Sequence, residues 1–124
     1  MTAVRVLLVD DRAEFLRAMV SVVQETPGFE VAGQASSGEE SLRLAEALLP
    51  DLVLMDVNLP GVDGLTATRR LRADADHSPV VFLLSTHDED TGDEFVAESG
   101  AAAYLTKSSF GPDRLEDLWS TLAR

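Results

Sequence analysis

Val4-Arg5-Val6-Leu7-Leu8-Val9-Asp10-Asp11, near the start of the chain, is a short and mostly apolar run that ends on two carboxylates. Short apolar runs of this kind are typical of strands that are buried on both faces of a sheet. Similar runs extend from Leu52 to Met55, from Val80 to Leu84 and from Ala102 to Leu105, while a more polar run from Phe29 to Ala35 suits an edge strand. The sequence therefore predicts five strands.

The segments between these runs carry apolar residues at helical spacing. In the first segment, Phe15, Met19 and Val22 recur at i, i+4 and i+7 and form one apolar face. Helix starts are indicated at Ser37 and near Pro112. Strict alternation of strand and helix predicts an α/β fold in which helices cover both faces of a parallel sheet. With right-handed crossovers, a doubly wound, flavodoxin-like sheet of five strands in the order 2-1-3-4-5 is the leading topology.

Length and composition predict one globular domain, residues 1–124, with 45% apolar and 26% charged residues. No apolar run approaches the roughly 20 residues that cross a bilayer, no signal peptide is recognisable, and there is no cysteine. These features predict a cytoplasmic protein that does not associate with membranes. The 10 basic and 22 acidic residues give a net charge of −12. Such a surface repels phosphate backbones, so we expect no direct binding of nucleic acid by this chain.

Polar side chains follow four of the predicted strands. They are Asp10 and Asp11 after the first strand, Asp56 after the third, Ser85 after the fourth and Lys107 after the fifth. Each of them alone could be a helix cap, a turn residue or an exposed charge. Ligands of doubly wound sheets bind beyond the carboxyl ends of the strands, at the switch point between strands 1 and 3. The five side chains together therefore predict a functional site at this edge of the sheet.

The chemistry of these side chains indicates phosphoryl transfer. Clustered carboxylates repel one another unless a divalent cation lies among them, and oxygen ligands suit Mg²⁺. A carboxylate can attack phosphorus and form an acyl phosphate, and Asp56 on the central third strand is the natural nucleophile. Lys107 would neutralise the phosphoryl oxygens as a point charge, and Ser85 would donate a hydrogen bond to one of them.

Four segments of the chain carry a resemblance to a known family. They are Leu7-Leu8-Val9-Asp10-Asp11, the loop from Leu54 to Gly64 with its Asp56-Val57-Asn58-Leu59-Pro60-Gly61, Leu83-Leu84-Ser85, and Tyr104-Leu105-Thr106-Lys107. In these segments and their spacing the chain resembles, over essentially its whole length, the response-regulator receiver domains of two-component signalling. Its loop from Leu59 to Gly64 and its segment Ser85-Thr86-His87-Asp88-Glu89 look like those of receivers that are attached to helix-turn-helix DNA-binding domains.

The resemblance implies a phosphoacceptor and its metal ion. Asp56 would accept a phosphoryl group from a histidine kinase or a phosphotransfer protein, and the chain would act as a switch rather than as an enzyme. Mg²⁺ would be held by Asp11, Asp56 and the backbone carbonyl of Asn58, with Asp10 assisting through water. The receiver would be either free-standing or part of a longer regulator, and the expected output is transcription, through a DNA-binding domain that is not present in this chain. Homodimerisation on phosphorylation is a further expectation.

The resemblance also implies residues that transmit the signal and set its lifetime. Ser85 and Tyr104 would form the switch pair, with the hydroxyl moving to the phosphate and the ring turning inward behind it. Asn58, Thr86 and His87 would lie at the mouth of the site and tune the rates of phosphorylation and dephosphorylation.

The chain departs from the family pattern at two positions. The family usually has proline after the lysine, often in a cis linkage, whereas this chain has Ser108. A cis bond before a residue other than proline costs about 2.5–4 kcal/mol, so we expect the Lys107–Ser108 bond to be trans. Thr86 is larger than the residue that usually follows the switch hydroxyl. Neither change removes a chemical group from the site.

Two further residues are expected to have structural roles only. Trp119 lies at helical spacing with Leu115 and Leu122, so we expect it to pack in the core. His77 lies near the start of a strand, and we expect it to be exposed.

Two other classes of protein use a similar sheet. A phosphatase of the haloacid-dehalogenase type also forms an aspartyl phosphate, but it needs a second Asp two residues after a nucleophile on strand 1, where this chain has Arg12. A flavodoxin-like flavin carrier needs a phosphate loop rich in hydroxyls and glycine after strand 1, and Asp10-Asp11-Arg12 repels phosphate unless a metal is bound. Both alternatives are therefore disfavoured.

Overall fold

The computed structural model describes residues 3–74, 76–86 and 92–122. Its strands, all parallel, are β1 (Val4–Val9), β2 (Phe29–Ala35), β3 (Leu52–Asp56), β4 (Val80–Ser85) and β5 (Ala103–Thr106). The α-helices in these ranges are α1 (Ala13–Glu25), α2 (Gly38–Leu48), α3 (Gly64–Ala73), α4 (Gly92–Ser99) and α5 (Pro112–Leu122). The strand order β2-β1-β3-β4-β5 confirms the predicted topology.

The register of the central strands aligns the polar residues that follow them. Val9 on β1 lies beside Met55 on β3, and Asp56 lies beside Leu84 on β4. Asp10, Asp56 and Ser85 therefore lie on the same edge of the sheet. The chain runs from β1 outward to β2 and then returns to β3 on the other side, so this edge contains the switch point.

The two faces of the sheet build two cores, because successive side chains along a strand point to opposite faces. One face packs under α2, α3 and α4 and includes Leu7, Val53, Met55, Leu83, Ala45, Ala67 and Leu71. The other packs under α1 and α5 and includes Leu8, Leu54, Phe82, Leu105, Met19, Val23 and Leu115. Trp119 of α5 packs against this second core and meets the Phe29 ring edge-on at 6.1 Å, which confirms its expected role in packing. No helix in the described ranges has the length and apolar character needed to cross a membrane.

One expectation about the opposite edge of the sheet is wrong. His77 follows α3 just before β4 and was expected to be exposed, but it is half-buried. Its Nε2 lies 2.7 Å from the backbone carbonyl oxygen of Pro50. A carbonyl only accepts, so Nε2 carries the proton and donates it. The ring thus connects the loop before β4 to the loop before β3.

We predict that Thr68→Val stabilises the fold by about 1 kcal/mol, since a buried hydroxyl without a partner costs about 1–3 kcal/mol in desolvation. Thr68 lies on α3 with no exposed surface, and its hydroxyl oxygen has no hydrogen-bond partner among the described residues. Urea unfolding of the wild type and the variant measures the difference. Thr66→Val is the matched control, because the Thr66 hydroxyl accepts a hydrogen bond from Arg69 and its removal should give no gain. Equal stability of wild type and Thr68→Val would contradict the prediction.

Candidate functional site

Three carboxylates meet at the switch point. Asp10 follows β1 and is fully buried, Asp56 ends β3 and is 3% exposed, and Asp11 lies exposed at the rim. One ligand oxygen from each lies within 4.8 Å of the others, so the group has the spacing to hold a metal ion. Asp10 and Asp56 are adjacent because β1 and β3 pair directly.

The loop from β3 to α3 approaches the backbone of Asp56 closely. Gly64 begins α3, and a Cβ atom at this position would overlap the backbone carbonyl oxygen of Asp56. The side chain of Asp63 caps the helix by accepting a hydrogen bond from the backbone N–H of Thr66 at 2.8 Å. The glycine allows α3 to start directly beside the end of β3, which fixes the backbone that carries Asp56.

Lys107 brings a positive charge to the carboxylates. It follows β5 directly, and its side chain is 12% exposed. The ammonium Nζ lies 2.7 Å from Asp10 Oδ2, to which it donates a hydrogen bond, and 3.5 Å from Asp56 Oδ2. The lysine is thus held mainly by Asp10 and reaches Asp56 at a longer distance.

The surroundings of Asp56 disfavour its charged form. The pKa of Asp56 is raised on balance from 3.8 to about 6, with burial as the largest cause and the nearby charge of Asp10 as the second. The Lys107 charge and the backbone N–H of Asn58, which donates to Asp56 Oδ1 at 3.2 Å, act in the opposite direction. The site therefore holds a carboxylate whose charge is only partly compensated by the protein.

A cavity of about 210 Å³ opens onto these groups. It is lined by Asp11, Arg12, Asp56, Asn58, Thr86 and Lys107. Asn58 and Thr86 thus lie where the sequence placed them, while His87 lies outside the described residues. Arg12 was not among the candidate site residues. Its position directly after Asp11 could have identified it as a site residue, because the residues between β1 and α1 lie at this edge of the sheet.

Ser85 and Tyr104 occupy β4 and β5. Ser85 is fully buried at the end of β4, beside Thr106 of β5. Tyr104 is half-buried, and its ring lies 5.9 Å from the Phe95 ring of α4. A Cβ atom at Gly92 would overlap the Tyr104 ring, so the start of α4 rests directly on that ring.

The segment after Lys107 lacks the proline of the family pattern. No peptide bond in the described ranges is cis, so the bond to Ser108 is trans, as expected. Lys107–Ser109 form one 3-10 turn, and the hydroxyls of Thr106 and Ser109 lie 2.8 Å apart. The turn places Lys107 at the cavity without a proline.

Comparison with known proteins decides what this arrangement belongs to. The sequence profile of the response regulator receiver domain matches residues 6–119. The chain belongs to the response regulator receiver family. Receiver domains are signalling phosphoacceptors rather than enzymes that turn over a substrate, and they interact with histidine kinases. The family resemblance inferred from the motifs is confirmed, and it decides against the phosphatase and the flavin carrier.

Individual relatives agree with the family. The receiver is 42% identical over 106 residues to response regulator GacA of Pseudomonas viridiflava. The aligned residues cover 86% of this chain and 49% of that protein. It is 36% identical over 119 residues to the nitrate/nitrite response regulator protein NarL of Escherichia coli K12. Here the aligned residues cover 95% of this chain and 54% of NarL. The crystal structure of a LuxR-family two-component response regulator from Aurantimonas sp. SI85-9A1 has a TM-score of 0.86 at 30% identity, over 98% of this chain and 86% of that one. The receiver spans about half the length of these curated relatives.

Proposed function

We propose that this receiver accepts a phosphoryl group on Asp56 from a histidine kinase or a phosphotransfer protein and thereby switches an output. The observation that carries the proposal is the position of Asp56, a buried carboxylate that lines an open cavity beside Lys107. A carboxylate that opens to a cavity can reach a donor, and the nearby cation can neutralise the charge that arrives with the phosphoryl group.

The residues at the site fit Mg²⁺. Three carboxylates face one ammonium, so a divalent cation would balance the charge, and carboxylate and carbonyl oxygens are its preferred ligands. Asp11, Asp56 and the backbone carbonyl of Asn58 would hold it. Both oxygens of Asp10 already accept hydrogen bonds, from Lys107 and from the backbone N–H of Arg12, which favours a role for Asp10 through water. When bound, Mg²⁺ would neutralise charge on the phosphoryl oxygens.

Phosphoryl transfer then follows from the protein groups. A carboxylate oxygen of Asp56 attacks the phosphorus of a phosphohistidine, and a P–O bond forms as the P–N bond breaks. The leaving imidazole nitrogen keeps the bonding electrons and takes up a proton. The Lys107 ammonium and the Ser85 hydroxyl bind two of the phosphoryl oxygens.

The signal would leave the site through the switch pair. As Ser85 turns to the phosphoryl group, space opens behind it and the Tyr104 ring moves inward. In the unphosphorylated structure the ring packs on Gly92 and Phe95 of α4, so its movement would change the contacts of α4. Asn58 and Thr86 line the cavity and, with His87, are proposed to tune the rates at which the phosphoryl group arrives and is hydrolysed.

The output is proposed from the relatives. This chain spans about half the length of the curated relatives it matches, and one of them is the transcriptional regulatory protein LiaR of Bacillus subtilis. We infer a transcriptional output through a DNA-binding domain outside this chain, with homodimerisation on phosphorylation. A histidine kinase draws its phosphoryl group from ATP, so the proposed location is the cytoplasm.

The proposal is tested by incubating the protein with a small acyl phosphate and Mg²⁺. Intact mass should rise by one phosphoryl group, and hydroxylamine should remove it because an acyl phosphate is labile to this nucleophile. Borohydride reduction followed by peptide mass spectrometry should place the modification on the peptide with Asp56. A label on another residue, or no label, would overturn the proposal.

We predict that Asp11→Ala weakens Mg²⁺ binding by at least roughly 10- to 100-fold. Loss of an outer-shell partner of a metal site already has an effect of this size, and Asp11 is proposed as a direct ligand. Asp11 is the exposed member of the carboxylate group, so its loss should change the site without opening the core. Calorimetric titration of the unphosphorylated protein with Mg²⁺ gives the affinity. Asp117→Ala, on an exposed position of α5, is the control and should bind Mg²⁺ as the wild type does. Unchanged affinity in Asp11→Ala would show that the metal site is wrong.

A further inference from the structure

We propose that Phe15 is a positioning residue for Lys107, and that its ring holds the ammonium where the incoming phosphoryl group must meet it. The inference rests on the proposed role of Asp56 as phosphoacceptor. Phe15 lies in the first turn of α1, and its apolar spacing alone assigns it to the core.

The geometry is that of a cation–π contact. Lys107 Nζ lies 4.4 Å from the centroid of the Phe15 ring, within the about 6 Å over which an aromatic face attracts a cation. The lysine side chain is only 12% exposed, so water competes weakly for the charge. The attraction is therefore stronger here than at an open surface.

The ring supplies something that the carboxylates do not. A lysine ammonium is a compact charge on a flexible stem, and in this structure its short hydrogen bond goes to Asp10 rather than to Asp56. An aromatic face attracts the charge as a whole, so oxygen atoms can still accept hydrogen bonds from the N–H groups of the ammonium. The ammonium can therefore turn an N–H from Asp10 to a phosphoryl oxygen while it remains beside the ring. Phe15 thus determines the position of the ammonium. The ammonium donates its hydrogen bond first to the Asp10 carboxylate and then to the phosphoryl group.

A role in packing alone predicts a different result. Phe15 also contacts the core under α1 and α5, and an aliphatic side chain of similar size would fill that space. Fluorination separates the two roles, because it draws electron density from the ring face with little change of shape. Only a cation–π contact depends on that density.

The experiment incorporates mono-, di- and trifluorophenylalanine at position 15 and measures the rate of phosphorylation by a small acyl phosphate with Mg²⁺. We expect the rate to fall stepwise, by about three- to tenfold for the trifluoro ring, which is the range of a partly desolvated cation–π contact. The same series at Phe29, which packs on Trp119 in the same core, should leave the rate unchanged. In Lys107→Met the remaining slow rate should no longer depend on fluorination at position 15.

A failure of the role of Phe15 can be distinguished from a failure of the proposed phosphoacceptor. A flat series at position 15, in a protein that is phosphorylated on Asp56, would overturn the role of Phe15 and leave the phosphoacceptor intact. Absence of labelling in the wild type would overturn both. A direct readout on the unphosphorylated protein is the NMR shift of the Lys107 ε-methylene protons, which the ring current should move upfield. Phe15→Leu should abolish this shift, and a wild type without it would overturn the inference.

Discussion

Asp56→Asn is expected to abolish phosphoryl labelling by a small acyl phosphate. The amide oxygen carries no negative charge and cannot form a stable bond to phosphorus, while Asp10, Asp11 and Lys107 remain in place. Asp10 cannot take over the reaction, because it is fully buried and both its oxygens accept hydrogen bonds. Intact-mass spectrometry at several times of incubation measures the label directly.

The control for this variant is Asp117→Asn, which removes an exposed carboxylate of α5 that does not line the cavity at Asp56. It should be labelled at the rate of the wild type. Labelling of Asp56→Asn to the extent seen in the wild type would place the nucleophile on another residue and remove the basis of the proposed function.

Asp56→Asn is also expected to stabilise the metal-free protein at neutral pH. The pKa of Asp56 is about 6 in the fold, against an ordinary value of 3.8. A pKa raised by folding favours the native state while the group is protonated, and this contribution is lost as the pH rises through the folded pKa. Two pKa units correspond to about 3 kcal/mol at 1.36 kcal/mol per unit. Between pH 4 and pH 7 Asp56 should therefore lower the free energy of unfolding by an amount of this order.

Urea unfolding with a chelator, at several pH values, tests this expectation. Asp56→Asn should exceed the wild type by about 2–3 kcal/mol at pH 7, and the gap should narrow towards pH 4, since only the wild type carries the titrating group. Added Mg²⁺ should narrow the gap at pH 7 by stabilising the wild type more than the variant. A gap that stays constant over this pH range, or that grows on acidification, would contradict the assignment of a raised pKa to Asp56.

The sequence was sufficient for the fold and for the carboxylates and the lysine that gather at the site. Runs such as Val4 to Val9 and Leu52 to Met55 show by their short, apolar character that they are buried strands. Parallel order then requires that Asp10, Asp56 and Lys107, which follow three of these strands, lie at one edge. These inferences succeed because they depend on local periodicity and on a connection rule of one handedness, and both can be read along the chain.

Contacts between elements that are distant along the chain were decided only by the tertiary structure. His77 looked exposed in the sequence, yet it donates to the Pro50 carbonyl. Phe15 looked like a core residue, yet its ring also faces the Lys107 ammonium. The shorter contact of Lys107 with Asp10 than with Asp56, and the raised pKa of Asp56, likewise depend on burial and on distances of a few ångströms. Hydrophobic periodicity specifies which face of an element turns inward, but the atoms that then meet are set by how the elements pack, and the electrostatics of the site follow from that packing.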